Sequence, residues 1–400
     1  MKILIITQYY YPENFIINDI VKNFKHEGHD VEVLTAIPNY PSGNFFSGYN
    51  IFNKHKEIIN DVVIHRSRIL PRFNGNKISL IFNYISFVFF GTLKLFFIKG
   101  KFDKILIYAP SPITVGLVGV FASKKFNAKS FLWVQDLWPE SVSAGGNINN
   151  KFILNLLNIM TKMIYKYTDY ILVQSESFIE YIINQGVKKE KIKYLPNYAV
   201  DIYSDKKNIV NDDPKIFSDF TITFAGNVGK SQNLEILIDA AKQLKLKSEK
   251  LKFLIIGSGR NMDSLNKKVY ENGLSDYFIF LGRKDPELMP SYFHKSNALF
   301  ISLKKSLIFS LTIPSKLQSY MAFGKPIIGS IDGITNDLII KSKSGLVSSS
   351  EDLNGLVDNI ITLKNLSLDE LNELGNNASK FYENNFSKNV VMSKLFEILR

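Results

Sequence analysis

Three turns in the second half of the chain have the residue types needed to hold a phosphate. Gly226-Asn227-Val-Gly229-Lys230 follows an apolar run and precedes a helical pattern at 232–246. Gly257-Ser-Gly259-Arg260 stands in the same relation to a pattern at 261–272, and Ser315-Lys316 opens one at 314–322. Each puts small residues and a cation where a helix begins, and there free N–H groups and the helix dipole favour an anion. A Gly-rich turn between strand and helix is also a common structural device, so each turn taken alone keeps that alternative. Neither glycine pair completes Gly-x-Gly-x-x-Gly, which disfavours a dinucleotide fold. No Asp-x-Asp triplet occurs, so a bound diphosphate would be neutralised by Lys and Arg rather than by a metal ion. The five histidines (His26, His29, His55, His65 and His294) have no His-x-x-x-His or Glu-x-x-His spacing, and there is no cysteine. Disulfides and thiolate chemistry are excluded, a transition-metal centre is disfavoured, and no cofactor is expected.

The scaffold for these turns is an alternation of strand-like and helix-like segments. Strands are expected at Lys2–Thr7, Val31–Thr35, Val62–Arg66, Lys104–Tyr108, Ser130–Val134 and Tyr170–Gln174, with helices near 14–27, 111–125 and 151–167. Lys191–Pro214 breaks the rhythm with prolines and charges and reads as a linker. A second series follows, with strands at Phe220–Ala225, Leu251–Ile256, Phe278–Leu281, Ala298–Ser302, Pro326–Ser330 and Gly345–Val347. Helices are expected at 232–246, 261–272, 288–294 and 314–322, and 351–400 is helical with a break near Asn385–Ser387. Continuous apolar strands such as Ile-Leu-Ile-Ile indicate parallel sheets covered on both faces, the α/β class. Two domains are expected, 1–198 and 199–385, with a helix from about 386 to 400 returning to the first. Ligands would then sit at the C-terminal ends of strands, across an interdomain cleft.

Composition supports a folded globular chain: of 400 residues, 46% are hydrophobic and 22% charged. The net charge is +12. Most of it lies in residues 1–200, where 23 Lys/Arg face 14 Asp/Glu. Such a basic half could meet nucleic acid, anionic lipid or a phosphorylated substrate, or be an ordinary solvated surface. Lysines set singly between apolar residues, with no Arg-rich cluster, argue against nucleic acid. The start of the chain lacks the pattern of a signal peptide, so a cytoplasmic location is expected. Ile78–Ile98 is as long as a membrane span and is flanked by Lys77, Lys99 and Lys101. A span would split the first sheet, so the segment is expected to cover that sheet, to lie in the membrane interface, or both.

Tyr9-Tyr-Tyr-Pro12-Glu13, Tyr194-Leu-Pro-Asn197-Tyr-Ala-Val-Asp201, the Gly226 and Gly257 turns, and Pro314-Ser-Lys316-Leu-Gln-Ser-Tyr-Met-Ala322-Phe-Gly324-Lys325-Pro326 stand in this order along the chain. Together they resemble glycosyltransferase family 4. More narrowly, Pro12-Glu13-Asn14, Pro38-Asn39-Tyr-Pro41-Ser-Gly43 and Trp133-Val-Gln-Asp136-Leu-Trp138-Pro-Glu140 look like O-antigen N-acetylfucosaminyltransferases of the WbuB type. The resemblance implies a GT-B fold, two Rossmann-like parallel-sheet domains facing each other across a cleft. It also implies retaining, metal-independent transfer from a UDP-linked N-acetylated deoxyhexosamine to a lipid-linked or oligosaccharide acceptor of bacterial surface polysaccharide. An enzyme of this kind would sit peripherally on the inner face of the plasma membrane, against anionic lipid. The sequence departs from the family at two positions, where Leu311 and Ser319 stand in place of glutamates. Ribose and sugar contacts would then come from Ser310, Thr312, Gln318 or Ser319.

Roles follow from the chemistry of such a transfer. Lys316, Lys230 and Arg260, with the Gly226, Asn227, Gly257, Gly259 and Ser315 turns, are the donor-binding candidates. Asp136 and Glu140 are catalytic candidates that could orient the acceptor or stabilise positive charge at the anomeric carbon, and Lys316 could stabilise the leaving diphosphate. Glu13, Asn14, Asn39 and Trp138 are candidates for the acceptor. The alternatives are structural: Asp136 capping a turn, Glu13 capping a helix, surface lysines, and Trp133 or Trp138 in the core. Two other functions compete: a nucleotide-sugar 2-epimerase, which would need His294, and a non-catalytic basic lipid- or nucleic-acid-binding protein.

Overall fold

A computed structural model describes residues 1–53, 55–72, 77–146, 150–200 and 214–400. The chain divides into two compact units: Met1–Pro196 together with Met392–Arg400, and Asn197–Val391.

The first unit opens with β1 (Lys2–Ile6), α1 (Ile16–His26), β2 (Asp30–Ala36), β3 (Lys56–Ile59), β4 (Val62–Ser67) and α2 (Lys77–Leu95). It continues with β5 (Lys104–Ala109), α3 (Val115–Phe126), β6 (Lys129–Val134), α4 (Glu140–Gly146) and α5 (Lys151–Tyr167). β7 (Tyr170–Val173), α6 (Ser177–Asn184) and β8 (Ile192–Tyr194) follow. The eight strands lie in the order β3-β4-β2-β1-β5-β6-β7-β8. All pairings are parallel except β3 with β4. The chain leaves β1 in one direction towards β2 and later resumes at β5 on its other side. That reversal is the point at which open parallel sheets bind ligands, outside the C-terminal strand ends. Ile3 to Ile6 and Ile105 to Ile107 are fully buried, as an apolar strand covered on both faces must be.

The second unit contains β9 (Thr221–Asn227), α7 (Glu235–Leu246), β10 (Lys252–Ser258), α8 (Met262–Glu271), β11 (Phe278–Gly282) and α9 (Met289–Lys295). Next come β12 (Ala298–Ser302), α10 (Leu307–Leu311), α11 (Ser315–Phe323), β13 (Ile327–Ser330), α12 (Ile334–Ser342) and β14 (Gly345–Ser348). The chain finishes with α13 (Leu353–Asn365), α14 (Leu368–Asn385) and α15 (Lys388–Leu399). Its six-stranded parallel sheet has the order β11-β10-β9-β12-β13-β14, with the reversal between β9 and β12. Two apolar cores cover it, one built on Phe224, Phe253 and Leu237, the other on Tyr292, Leu317 and Tyr320.

One element differs from expectation, and another adds a detail to it. Ile192–Tyr194, read as the start of the linker, is the edge strand β8, and residues 201–213 of that linker lie outside the described residues. The apolar segment 78–98 forms α2 and covers the first sheet, as expected, but its inward side also carries polar residues and its outward side is apolar. Asn83, Ser86, Phe87, Gly91 and Leu95 face inward, while Ile81, Phe82, Ile85, Phe89 and Leu93 are exposed. Inward Asn83 is held by Gln8, whose Nε2 donates to its Oδ1 at 2.8 Å, and it donates in turn to the Leu70 carbonyl at 2.6 Å.

Candidate active site

The glycine turns of the second unit lie side by side. β9 and β10 stay in register to their last residues, pairing Gly226 with Gly257 and Asn227 with Ser258. Gly226 and Gly257 have φ of 145° and 142°, values that L side chains rarely adopt. A Cβ on Gly257 would run into the Gly226 carbonyl, and one on Gly259 into the Val228 backbone. The two turns thus make a flat backbone surface at the C-terminal edge of the sheet. A Cβ on Gly226 would meet the Lys316 Nζ at 3.3 Å.

Lys316 is the second residue of α11, in the first turn, where the backbone N–H groups have no partner within the helix. It donates to the Gln232 Oε1 and lies 4.4 Å from the centroid of the Phe224 ring. No carboxylate forms an ion pair with it among the described residues. Burial therefore pulls its pKa down from 10.5 to about 7. A cation held in a half-dry place without an anion is what a diphosphate would complete. Gly226, Gly257, Gly259 and Lys316 are brought together here.

The other donor-site candidates are more dispersed. Ser315 is exposed at the first position of α11, and the Ser319 hydroxyl, one turn on, donates to the Ser315 carbonyl at 3.2 Å. Thr312 donates to the Ile308 carbonyl at 2.8 Å. Gln318 is fully buried, and neither of its amide atoms is hydrogen-bonded among the described residues. Two residues beyond Lys316, it lies on the far side of the helix. Asn227 and Arg260 are exposed. Lys230 faces a separate cavity of about 180 Å³ with Lys304, Asn261 and Glu235. His294, which an epimerase would need, is exposed in the last turn of α9, the turn that leads into the start of β12. That is the opposite edge of the sheet from Lys316.

In the first unit the candidates gather in the loops that follow β1, β2 and β6, and in these loops Tyr11-Pro12, Tyr40-Pro41 and Trp138-Pro139 are cis. Glu13 is 2% exposed. Its Oε1 accepts from the Asn39 and Tyr40 N–H groups at 2.8 and 2.7 Å, and its Oε2 from that of Tyr10 at 3.3 Å. Burial still pushes its carboxyl up to about 7, against the pull of those donors and of Arg66. Glu13 thus ties the β1 loop to the β2 loop. Asn39 is equally buried and donates to the Ile37 carbonyl at 2.9 Å, whereas Asn14 is exposed.

Asp136, just beyond β6, has its carboxyl raised to about 7 by burial; burial, and after it the Asp136 charge, raises the Tyr108 phenol on β5. Glu140 opens α4 and turns elsewhere, into a cavity of about 370 Å³ lined by Asn155 and Asn158 of α5 and by Gln185. Trp133 is a core residue, its Nε1 donating to the Leu195 carbonyl at 3.0 Å. Trp138 is nearly buried and meets the Tyr84 ring edge-on at 6.4 Å.

Sequence reasoning missed Arg72. Its guanidinium donates to the Tyr9 hydroxyl and lies 5.0, 5.2 and 5.7 Å from the ring centroids of Tyr9, Tyr40 and Tyr84. It is 9% exposed and has no carboxylate partner among the described residues. No spacing in the sequence announces it, because two separate loops and helix α2 supply its neighbours.

Residues 205–381 match the family model described as "Glycosyl transferases group 1". The chain is a glycosyltransferase. It is 24% identical over 344 residues to the putative colanic acid biosynthesis glycosyl transferase WcaI of Escherichia coli, covering 81% of this chain and 82% of that one. Sucrose-phosphate synthase from Thermosynechococcus elongatus superposes with a TM-score of 0.72 at 16% identity, over 99% and 98% of the two chains. Anabaena HepE, solved with UDP and glucose, gives 0.69 at 14% identity over 100% and 99%. The fold of this glycosyltransferase is GT-B, with its two parallel-sheet α/β domains.

Proposed function

We propose that this enzyme moves a sugar from a UDP-sugar to a lipid-linked or oligosaccharide acceptor in bacterial surface polysaccharide synthesis, with retention and without a metal ion. The carrying observation is Lys316, a cation without an acidic partner among the described residues, set under Gly226 beside the paired glycine turns. On this reading the second unit binds the donor, and Lys316 with the α11 N-terminus stabilises the leaving diphosphate. The bond from the anomeric carbon to the phosphate oxygen breaks as the acceptor oxygen bonds the same face, and the acceptor proton passes to the departing phosphate. Asp136, in the first unit, orients the acceptor or stabilises the oxocarbenium-like centre. Arg72, Asn39 and Trp138 line the acceptor side.

Support for UDP comes from HepE, solved with UDP and glucose, and support for polysaccharide from the colanic acid relative. The donor sugar proposed is an N-acetylated deoxyhexosamine such as N-acetylfucosamine, on the strength of the Pro12, Pro38 and Trp133 motifs. The protein is proposed to work peripherally at the cytoplasmic membrane face. α2 supports this, because its outward side is apolar and Lys99 and Lys101 follow it. The test is a thermal-unfolding screen of UDP-, GDP- and dTDP-sugars. UDP-sugars should raise the melting temperature, since a ligand bound by the native state alone stabilises it. Protection by GDP- or dTDP-sugars alone would overturn the choice of nucleotide.

A further inference from the structure

Between α2 and the end of β4 lies a cavity of about 430 Å³ that none of the roles above employs. Its polar lining is His55, Arg66, Ser67, Arg68 and Lys94, and its apolar lining is Phe90, Leu93 and Phe97. Arg66 is neutralised by Glu57 and held by the Tyr11 and Ala36 carbonyls. Arg68 and Lys94 have no ion-pair partner among the described residues. Burial and the charges of Lys94 and Arg68 hold His55 below its ordinary pKa, and burial and the charge of Lys56 do the same to Lys94. Uncompensated cations held this close mark a place for an anion.

The apolar wall identifies the kind of anion. Leu93 and Phe97 are exposed and continue the outward stripe of Ile81, Phe82, Ile85 and Phe89 along α2. A free phosphate would leave that wall unused, whereas a lipid would cover it. We propose that this cavity binds the headgroup phosphate of an anionic membrane phospholipid, whose acyl chains lie along the outer face of α2. The proposal rests on the peripheral-membrane reading above and gives it a specific site.

The test uses the full chain and a monomeric short-chain lipid, dihexanoyl phosphatidic acid, beside inorganic phosphate. The lipid should bind at least about tenfold tighter than phosphate, as burying several methylenes requires. The double variant Arg68→Gln/Lys94→Gln should lose at least about tenfold of that affinity, the usual consequence of removing charge-assisted contacts. Lys99→Gln/Lys101→Gln, which removes the same charge outside the cavity, should bind the short-chain lipid like wild type. Melting curves of both variants check that the fold is kept. Equal binding of lipid and phosphate, or undiminished lipid binding by the cavity variant, overturns the proposal. Vesicles of phosphatidylglycerol and phosphatidylcholine separate the two levels of the argument. If wild type ignores them, the membrane reading fails as well. If it pellets with them while the cavity variant keeps its lipid affinity, the cavity assignment alone fails.

Discussion

Lys316→Met replaces an ammonium by an apolar chain of similar length, and the structure sets opposite signs for its two consequences. A fall in pKa from 10.5 to about 7 corresponds to a folding penalty of up to about 5 kcal/mol. Solvent at the partly open face of the residue reduces it. The folded pKa lies below the unfolded value, so between pH 7 and 10.5 the unfolded chain holds more protons and stability rises with pH. Met removes the penalty. The variant should therefore melt higher than wild type, most clearly below pH 7, and the difference should vanish as pH approaches 10.5. Binding should change the other way. Loss of a charge-assisted contact to the diphosphate should cost about 1.5–3 kcal/mol, or about 10- to 150-fold in the Kd for UDP. Uridine, which has no phosphate, should bind both proteins alike. In wild type, UDP affinity should fall as pH rises above 7, because the free enzyme then holds Lys316 uncharged. Calorimetric titration with UDP and uridine at pH 6.5 and 8.5, beside melting curves, covers every arm. An unchanged Kd for UDP together with a lower melting temperature would refute the reasoning. Lys316 would then be a packing residue.

Three further outcomes are expected. Asp136→Asn should keep UDP binding and the melting temperature but slow transfer by about 10²- to 10⁴-fold; near-normal transfer kinetics would make Asp136 a turn residue. Gly257→Ala should destabilise the fold and abolish protection by UDP, since its Cβ has no room against Gly226; a melting curve with wild-type UDP protection would contradict the paired-turn geometry. Glu13→Ala orphans two buried backbone donors and a part-buried one and should cost about 2–4 kcal/mol in a denaturant titration. Full stability with only a raised KM for the acceptor would instead make Glu13 a substrate contact.

The strands were readable from the sequence because buried parallel strands are unbroken apolar runs, and Ala298–Ser302 begins and ends where the pattern does. Short edge elements were not. Lys56-Glu-Ile-Ile59 has too few residues to show a period, and β8 is three residues long and ends two residues before Pro196. Helix α2 was legible as a helix but not in its orientation, since its buried side carries Asn83 and Ser86 and its exposed side carries phenylalanines. On the buried side Gln8 and the Leu70 carbonyl satisfy Asn83, partners that lie far from it in sequence. At the candidate site, strand-turn-helix spacing was enough to bring out Gly226, Gly257 and Lys316. Burial and pairing were not encoded locally. Nothing around Glu13 announces that its oxygens serve backbone donors, and nothing near Arg72 announces its three tyrosines.

The last helix has a consequence for how the protein is made. Residues 392–400 belong to the unit that otherwise ends at Pro196. Leu395 and Leu399 are fully buried there, Phe396 packs on Phe24 and His29, and Lys104 reaches the Arg400 carbonyl. A ribosome emits this segment only after the whole of Asn197–Val391. At about 5–20 residues per second, the first-made unit waits roughly 10–40 s with Phe24 uncovered. The second-made unit is contiguous and can close as soon as it emerges. Birth order and completion order are therefore reversed, and the half that carries the outward phenylalanines of α2 is the last to be sealed.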